Sequence, residues 1–325
     1  MKQLTTALSL LSFTLLGFGS AHAENSAAAR TQKRTVAVTI DDLPAIDDDI
    51  SLSALQSATA KLAEAIRTRG VPTVGFVNEY KLELDKHRGE REQLLRVWRD
   101  AGIELGNHTY SHESPNKLGV KQYEADILRG EKVTQKILAE KGLHIRYFRH
   151  PFLETGPTLA ARHQIETFLS EHHYTIAPVT VMSYEWAFSQ LYDDALRRRD
   201  EAVMKTVREL YVPYLESVFE FFEGASKQVL GYEVPQIFLL HAGTLNAEKF
   251  GEITDMLEHR GYTFVSLDEA MRDPAYSMED IYASKEGTSW FVHWAKSRHL
   301  PELEIPIEVD EPAAVKRLAK RYLKD

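Results

Sequence analysis

The chain has 325 residues, 43% of them hydrophobic and 27% charged, with no cysteine and a formal net charge of −9 at neutral pH. That length and apolar content are enough for one large core or two small ones, and they exclude a wholly disordered chain. The acidic balance argues against broad phosphate-backbone binding, so nucleic acid is not expected as a partner, and without cysteine there are neither disulfides nor a lipid-modified thiol.

Met1-Lys2 is followed by an apolar run through Leu8, Leu10, Leu11, Phe13, Leu15, Leu16 and Phe18, and then by Ala21-His22-Ala23. This is the pattern of a secretory signal peptide, residues 1–23, with its A-x-A cleavage site. The run is shorter than the roughly 20 residues a span requires, so no membrane span is expected once the signal is removed. Loss of Lys2 takes the charge from −9 to −10. A periplasmic or secreted location is expected, and residues 24–34, small and polar, read as a flexible lead-in.

From Thr35 onward, short apolar runs alternate with helical patterns. Seven candidate strands are Val36 to Ile40, Thr73 to Val77, Ile103 to Asn107, Ile145 to Arg149, Thr175 to Val181, Gln236 to His241, and Thr263 to Val265. Between the first two, Leu52, Leu55, Leu62 and Ile66 recur at helical spacing and Gly70 closes the helix. The same strand-helix rhythm returns around Leu94 to Trp98 and Ile127 to Leu138, which favours a parallel α/β sheet or barrel. Asp41 and Asp42, His108, Arg149 and His241 each fall at or just beyond the end of a different strand. In a closed barrel those ends converge on one site, so a barrel over residues 35–272 is the reading preferred over an open sheet.

Residues 187–231 interrupt the rhythm with a long helical pattern (Val203, Val207, Leu210, Tyr211, Leu215, Val218, Phe222). They read as an inserted helical hairpin with Pro213 as a kink or break. Residues 273–325 form a C-terminal extension packed on the barrel. In it, Trp290 and Trp294 dock a helix, and Val315, Leu318, Ala319 and Tyr322 mark an amphipathic terminal helix. Asp47-Asp48-Asp49 reads as a solvated loop, and His150, His163 and His172-His173 as surface or packing residues.

His108 and His112 are four apart, so on a helical turn both imidazoles leave one face and can share an ion, with Asp42 as the third ligand. Two imidazoles and a carboxylate suit Zn2+ or a similar first-row ion and leave a coordination position open. Asp41, adjacent and not needed as a ligand, is free to take a proton from water.

Thr39-Ile40-Asp41-Asp42, His108-x-x-x-His112, Arg149-His150-Pro151-Phe152 and Leu239-Leu240-His241, in this order, resemble the motifs of the polysaccharide deacetylase family with its NodB homology domain, carbohydrate esterase family 4-like. The resemblance covers roughly Thr35 to Leu267. It implies a distorted (β/α)7 barrel and metal-dependent removal of acetyl groups from carbohydrate. It also implies roles: Asp42, His108 and His112 as metal ligands, Asp41 as base, His241 as acid, Arg149 holding the base by a charge-assisted hydrogen bond, and the Phe152 backbone N–H facing the developing oxyanion. Trp186 and Leu239 are candidates to line the pocket for the acetyl methyl.

One position departs from the family. Where an aspartate is usual before a tryptophan, Met182 stands in Val181-Met182-Ser183-Tyr184-Glu185-Trp186, and methionine cannot accept a strong hydrogen bond from an imidazolium. Glu185 is the nearest carboxylate that can compensate. The reading is an exported, metal-dependent deacetylase of N-acetylated polysaccharide or oligosaccharide, working through metal-activated water. Its rivals are a hydrolase of another amide, imide or ester on the same barrel, and a catalytically weakened carbohydrate-binding protein.

Overall fold

The computed structural model describes residues 33–300 and 309–322; the signal-peptide reading and most of the lead-in lie outside them. The strands are β1 (Thr35–Leu43), β2 (Thr73–Val77), β3 (Glu104–Asn107), β4 (Tyr147–Phe148), β5 (Thr175–Ile176), β6 (Gln236–His241) and β7 (Thr263–Phe264). All pair in parallel in the order β5-β4-β3-β2-β1-β6, and β7 pairs with the first residues of β1. Each expected strand is present, but the third, fourth, fifth and seventh are shorter than their apolar runs.

The ring is closed by the stretch that follows β5. Ala177 N–H donates to Phe148 O of β4, and four residues later Val181 pairs in parallel with Phe238 of β6. One extended segment thus touches β4 at its start and β6 at its end, which gives a distorted barrel rather than an open sheet.

The helices, in chain order, are α1 (Leu52–Arg69), α2 (Arg88–Asp100), α3 (Pro115–Leu118), α4 (Val120–Arg129), α5 (Lys132–Ala139), α6 (Leu159–Glu171), α7 (Glu185–Arg198), α8 (Glu201–Leu230), α9 (Thr244–His259), α10 (Leu267–Ala270), α11 (Trp290–Ser297) and α12 (Ala313–Tyr322). α1 illustrates their construction. Ser51 caps its first turn by accepting from Ala54 N–H at 3.3 Å, Gly70 ends it at φ 62°, and Leu55, Leu62 and Ile66 face inward. Each such side chain contributes about 1.5–3 kcal/mol through burial. β1 is buried along nearly its whole length, as a strand covered on both faces must be.

The inserted hairpin is α7 and α8, and it begins two residues before its expected start, at Glu185. Pro213 neither breaks nor ends α8, which runs on for 30 residues. Tyr211, Leu215, Val218, Phe219 and Phe222 are all buried around it, and that packing outweighs the one backbone hydrogen bond a proline removes. Trp294 is buried against Tyr276 and Phe291 in the C-terminal extension, while Trp290 stacks on His293 at 4.4 Å. No helix among the described residues is long and apolar enough to cross a membrane.

Candidate active site

Asp41 and Asp42 are consecutive residues in β1, where neighbouring side chains ordinarily point to opposite faces. The ladder between β1 and β2 shifts register between Ile40 and Leu43, and Asp42 sits at φ 64°. This bulge turns both carboxylates toward one cavity. Asp41 is also in register with His241 on β6, so the sheet itself brings these two together.

His108 and His112 do not lie on a helix. β3 ends at Asn107, and residues 108–114 form a loop in which Thr109 and His112 have φ of 64° and 55°. Local side chains shape the loop. Asn107 Oδ1 accepts from Thr109 N–H at 2.8 Å, Thr109 Oγ1 from His112 N–H at 3.0 Å, and Asp126 Oδ2 from Ser111 N–H at 3.0 Å. Gly130, at the end of α4, abuts this loop so closely that a Cβ there would stand 2.3 Å from the carbonyl carbon of Thr109. The two imidazole rings still meet, with centroids 4.9 Å apart.

The donor set fits a divalent cation. His112 Nε2 is 3.5 Å and His108 Nε2 3.9 Å from Asp42 Oδ1, and the three donor atoms all lie within 4.8 Å of one another. A tetrahedral zinc ion with bonds of about 2.0–2.1 Å requires its ligands about 3.3 Å apart, close to this spacing. Asp42 Oδ1 is buried without a hydrogen-bond partner, as a carboxylate awaiting a cation would be. His108 Nδ1 lies 2.7 Å from Arg149 O, so it carries the proton and leaves Nε2 as a lone pair facing both Asp41 Oδ2 at 3.6 Å and Asp42 Oδ1 at 3.9 Å. Burial lowers the pKa of both histidines, keeping them neutral. Burial works against ionised Asp42, but His112, Lys81, His241 and His108 outweigh it and its pKa is lowered.

Asp41 stands apart electrostatically. Burial pushes its carboxyl up to about 6, while Arg149 and His241 hold it down. Arg149 is buried beneath the site, and burial lowers its pKa. The expected hydrogen bond between them is not made: Arg149 Nη1 stays 3.7 Å from Asp41 Oδ2, and Nη2 donates instead to Thr39 Oγ1 at 2.9 Å. The guanidinium also lies over the Phe76 ring at 4.8 Å. Stacking and Thr39 fix its plane, so Arg149 acts on Asp41 through charge rather than through a fork.

The opposite wall is organised around His241. Its Nδ1 lies 2.6 Å from Glu185 Oε1, and Glu185 is 1% exposed. Burial alone would lower the imidazole pKa, but Glu185, with Asp42 and Asp41 behind it, more than reverses this and raises it to about 9. Glu185 therefore does what Met182 cannot. Its other oxygen accepts from Asn246 Nδ2 at 3.2 Å, Ser189 Oγ at 3.2 Å and Tyr211 O–H at 3.3 Å.

These groups line a cavity of about 560 Å³ that includes Asp41, Asp42, His108, His112, Phe152, Trp186, Leu239 and His241. Arg149 lies behind it. Phe152, at φ 56° and 56% exposed, stands at the mouth with its ring 4.5 Å from that of His112. Sequence reasoning missed Lys81 and Asp48, which also face this cavity. Lys81 Nζ is buried and donates to Asp48 Oδ1 at 2.6 Å, so Asp48 is not simply solvated. Burial disfavours the ammonium, but Asp42, Tyr80 and Asp48 overcome that and its pKa is raised. Its place just beyond β2, on the strand-end face that holds the other site residues, was the signal available. His150 is a packing residue, as expected: it is buried and stacked on Tyr123.

Residues 28–167 match the family model described as polysaccharide deacetylase, a span that holds Asp41, Asp42, His108, His112, Arg149 and Phe152 but neither Glu185 nor His241. Among solved structures, a family 4 carbohydrate esterase from Streptomyces lividans, in complex with acetate, is similar at 20% identity over 73% of this chain and 95% of its own, with a TM-score of 0.46. A peptidoglycan deacetylase from Bacillus subtilis is similar at 16% identity over 76% and 95%, with a TM-score of 0.45. A family pseudoenzyme from Bacillus anthracis is similar at 16% identity over 74% and 66%, with a TM-score of 0.47. No curated protein sequence matches the chain. On this match, residues 28–167 of the chain are similar to the polysaccharide deacetylase family.

Proposed function

We propose that the protein is an exported, metal-dependent carbohydrate deacetylase that hydrolyses the acetamido groups of an N-acetylated polysaccharide or oligosaccharide. The observation that carries the reading is the pairing, across one cavity, of a Glu185-held imidazole that stays protonated with a buried carboxylate near neutrality. Acyl transfer to water needs both a base and an acid, with pKa values pushed apart by their surroundings. Asp42, His108 and His112 would hold the ion, and Zn2+ suits this donor set best. A divalent ion bound there would supply Lewis-acid polarisation of the acyl oxygen and a lowered pKa for water.

Asp41, buried and facing the same cavity, takes the proton of the attacking water. The backbone N–H of Phe152 stabilises the oxygen on which negative charge grows. His241 gives its proton to the departing nitrogen, and Glu185 takes up the charge relation that keeps that proton available. Trp186 and Leu239 offer an apolar surface for the acetyl methyl. The loss-of-catalysis rival drew on Met182 and on the acidic surface, and the Glu185–His241 contact weighs against the first of these.

The test is acetate release from acetylated chitooligosaccharides and peptidoglycan fragments, with and without a chelator. Release that the chelator abolishes and zinc restores is expected. Stoichiometric metal with no acetate from either substrate class would move the reading to another amide or ester, and absence of bound metal would overturn it.

A further inference from the structure

The C-terminal extension reaches the site through residues 280–290. This strap is pinned at its first end by Arg162, which contacts Asp280 Oδ2 at 2.7 Å and Tyr282 O at 2.7 Å, and by an antiparallel bridge between Ser284 and Gly156. At its far end, Ser289 Oγ donates to Thr180 O at 2.6 Å and Trp290 N–H to Val179 O at 2.8 Å. Between these anchors the strap crosses from the loop after β4 to the stretch that closes the barrel.

At mid-crossing, Gly287 lies directly on the Phe152–Leu153 backbone. A Cβ at Gly287 would stand 1.8 Å from Phe152 O and 2.6 Å from the carbonyl carbon of Leu153, far inside any contact a real side chain makes. Gly287 is not among the positive-φ glycines, so its own backbone does not demand glycine; the close approach does. The segment beneath it is itself unusual: Phe152 and Leu153 both have φ near 57°, a conformation that costs energy and persists only when neighbours hold it. Asn116 adds a clip, donating to Lys285 O at 2.8 Å and to Glu154 Oε2 at 2.7 Å, and so ties strap and loop together. Gly287 also lines the site cavity.

We infer that the strap is a working wall of the active site, with Gly287 the positioning residue that sets the Phe152 backbone amide. The inference rests on the deacetylase reading for what that amide does, but not for how it is held. A segment more than 110 residues beyond the family-model match thereby completes the site.

Gly287→Ala tests this in the zinc-loaded full chain, with acetate release read as separate kcat and KM, metal content by elemental analysis, and deuterium uptake of the 150–156 peptide by mass spectrometry. The expected result is kcat lower by on the order of 10- to 100-fold with KM and metal content nearly unchanged, because a transition-state donor has been displaced. Uptake should rise in 150–156. A folded, metal-loaded Gly287→Ala with wild-type kcat and unchanged uptake would overturn the inference. If that variant does not fold, Asn116→Ala loosens the strap without a clash: lower kcat with raised uptake is again expected, and wild-type values of both would again overturn the inference. If the unmodified protein releases no acetate, the exchange readout still decides whether the strap holds the loop, and only the deacetylase reading falls.

Discussion

Glu185 Oε1 and His241 Nδ1 are 2.6 Å apart, and the contact joins the inserted hairpin to the end of β6. A carboxylate that is 1% exposed leaves an imidazolium little alternative partner, so the proton is held to about pH 9 rather than its ordinary 6.5. Such a pair is expensive to break from one side, since the other charge remains buried.

Glu185→Gln is expected to move the basic limb of the pH profile for kcat/KM to lower pH by at least about one unit, since one unit corresponds to about 1.4 kcal/mol of lost interaction. The sign follows from the proposed acid role: His241 would be active when protonated, its pKa is raised, and activity should be lost as pH climbs through that value. A bound cation would lower the imidazole pKa in wild type and variant alike, so the difference between them survives. The pair's contribution to stability has the same sign. It is fully present below pH 6.5 and disappears as pH rises through about 9, which urea titrations at pH 6 and pH 10 would read.

Asp41→Asn should leave metal content unchanged and lower kcat by on the order of 10²- to 10⁴-fold, the usual worth of a positioned base. Asp41 Oδ1 has no hydrogen-bond partner and its neighbour Asp42 would supply the ligand oxygen, so the exchange would remove the proposed base without dismantling the donor set. Full activity in this variant would show that another group takes the proton.

His108→Ala and Asp42→Ala should each lose stoichiometric zinc on dialysis. Their metal-dependent rise in thermal midpoint should vanish with it. In the wild-type chain, zinc at about 100 times its Kd would add about 2.7 kcal/mol of stability. Calorimetric scans with and without chelator check this. Wild-type metal retention in both variants would place the ion elsewhere.

Much of the fold was legible because its signals are local. The Leu52, Leu55, Leu62, Ile66 stripe ended by Gly70 is α1, and β2 and β6 span the residues their apolar runs indicated. What was illegible depended on tertiary contacts. The four-residue spacing of His108 and His112 suggests a helix, yet Asn107, Thr109 and Gly130 impose a loop that the spacing alone does not encode. Pro213 suggests a kink or break, yet burial on both sides of it keeps α8 unbroken. Arg149 could be assigned to Asp41 from motif order, but its turn toward Thr39 and Phe76 is a matter of packing. Glu185 was the carboxylate at hand to compensate for Met182, but only the placement of α7 shows that it reaches His241. The strap was invisible because nothing local marks Gly287 as a neighbour of Phe152.

Tyr211→Phe examines what the hairpin contributes. Tyr211 is fully buried on α8, and its hydroxyl donates to Asn246 Oδ1 at 2.6 Å, with Glu185 Oε2 at 3.3 Å. Asn246 in turn donates to Glu185 Oε2 and to His241 O, so the phenol steadies both members of the pair through one amide. Removing the hydroxyl leaves a buried acceptor on Asn246 unsatisfied, which should cost about 1–3 kcal/mol of stability, measured by urea unfolding. It should also lower kcat by about 10-fold, the low end for outer-layer support at metal sites. Zinc content should not change, since neither Tyr211 nor Asn246 belongs to the donor set. A stability loss with kcat intact would mean that the hairpin merely packs; a fall in kcat together with a basic limb shifted toward that of Glu185→Gln would mean that it holds the acid.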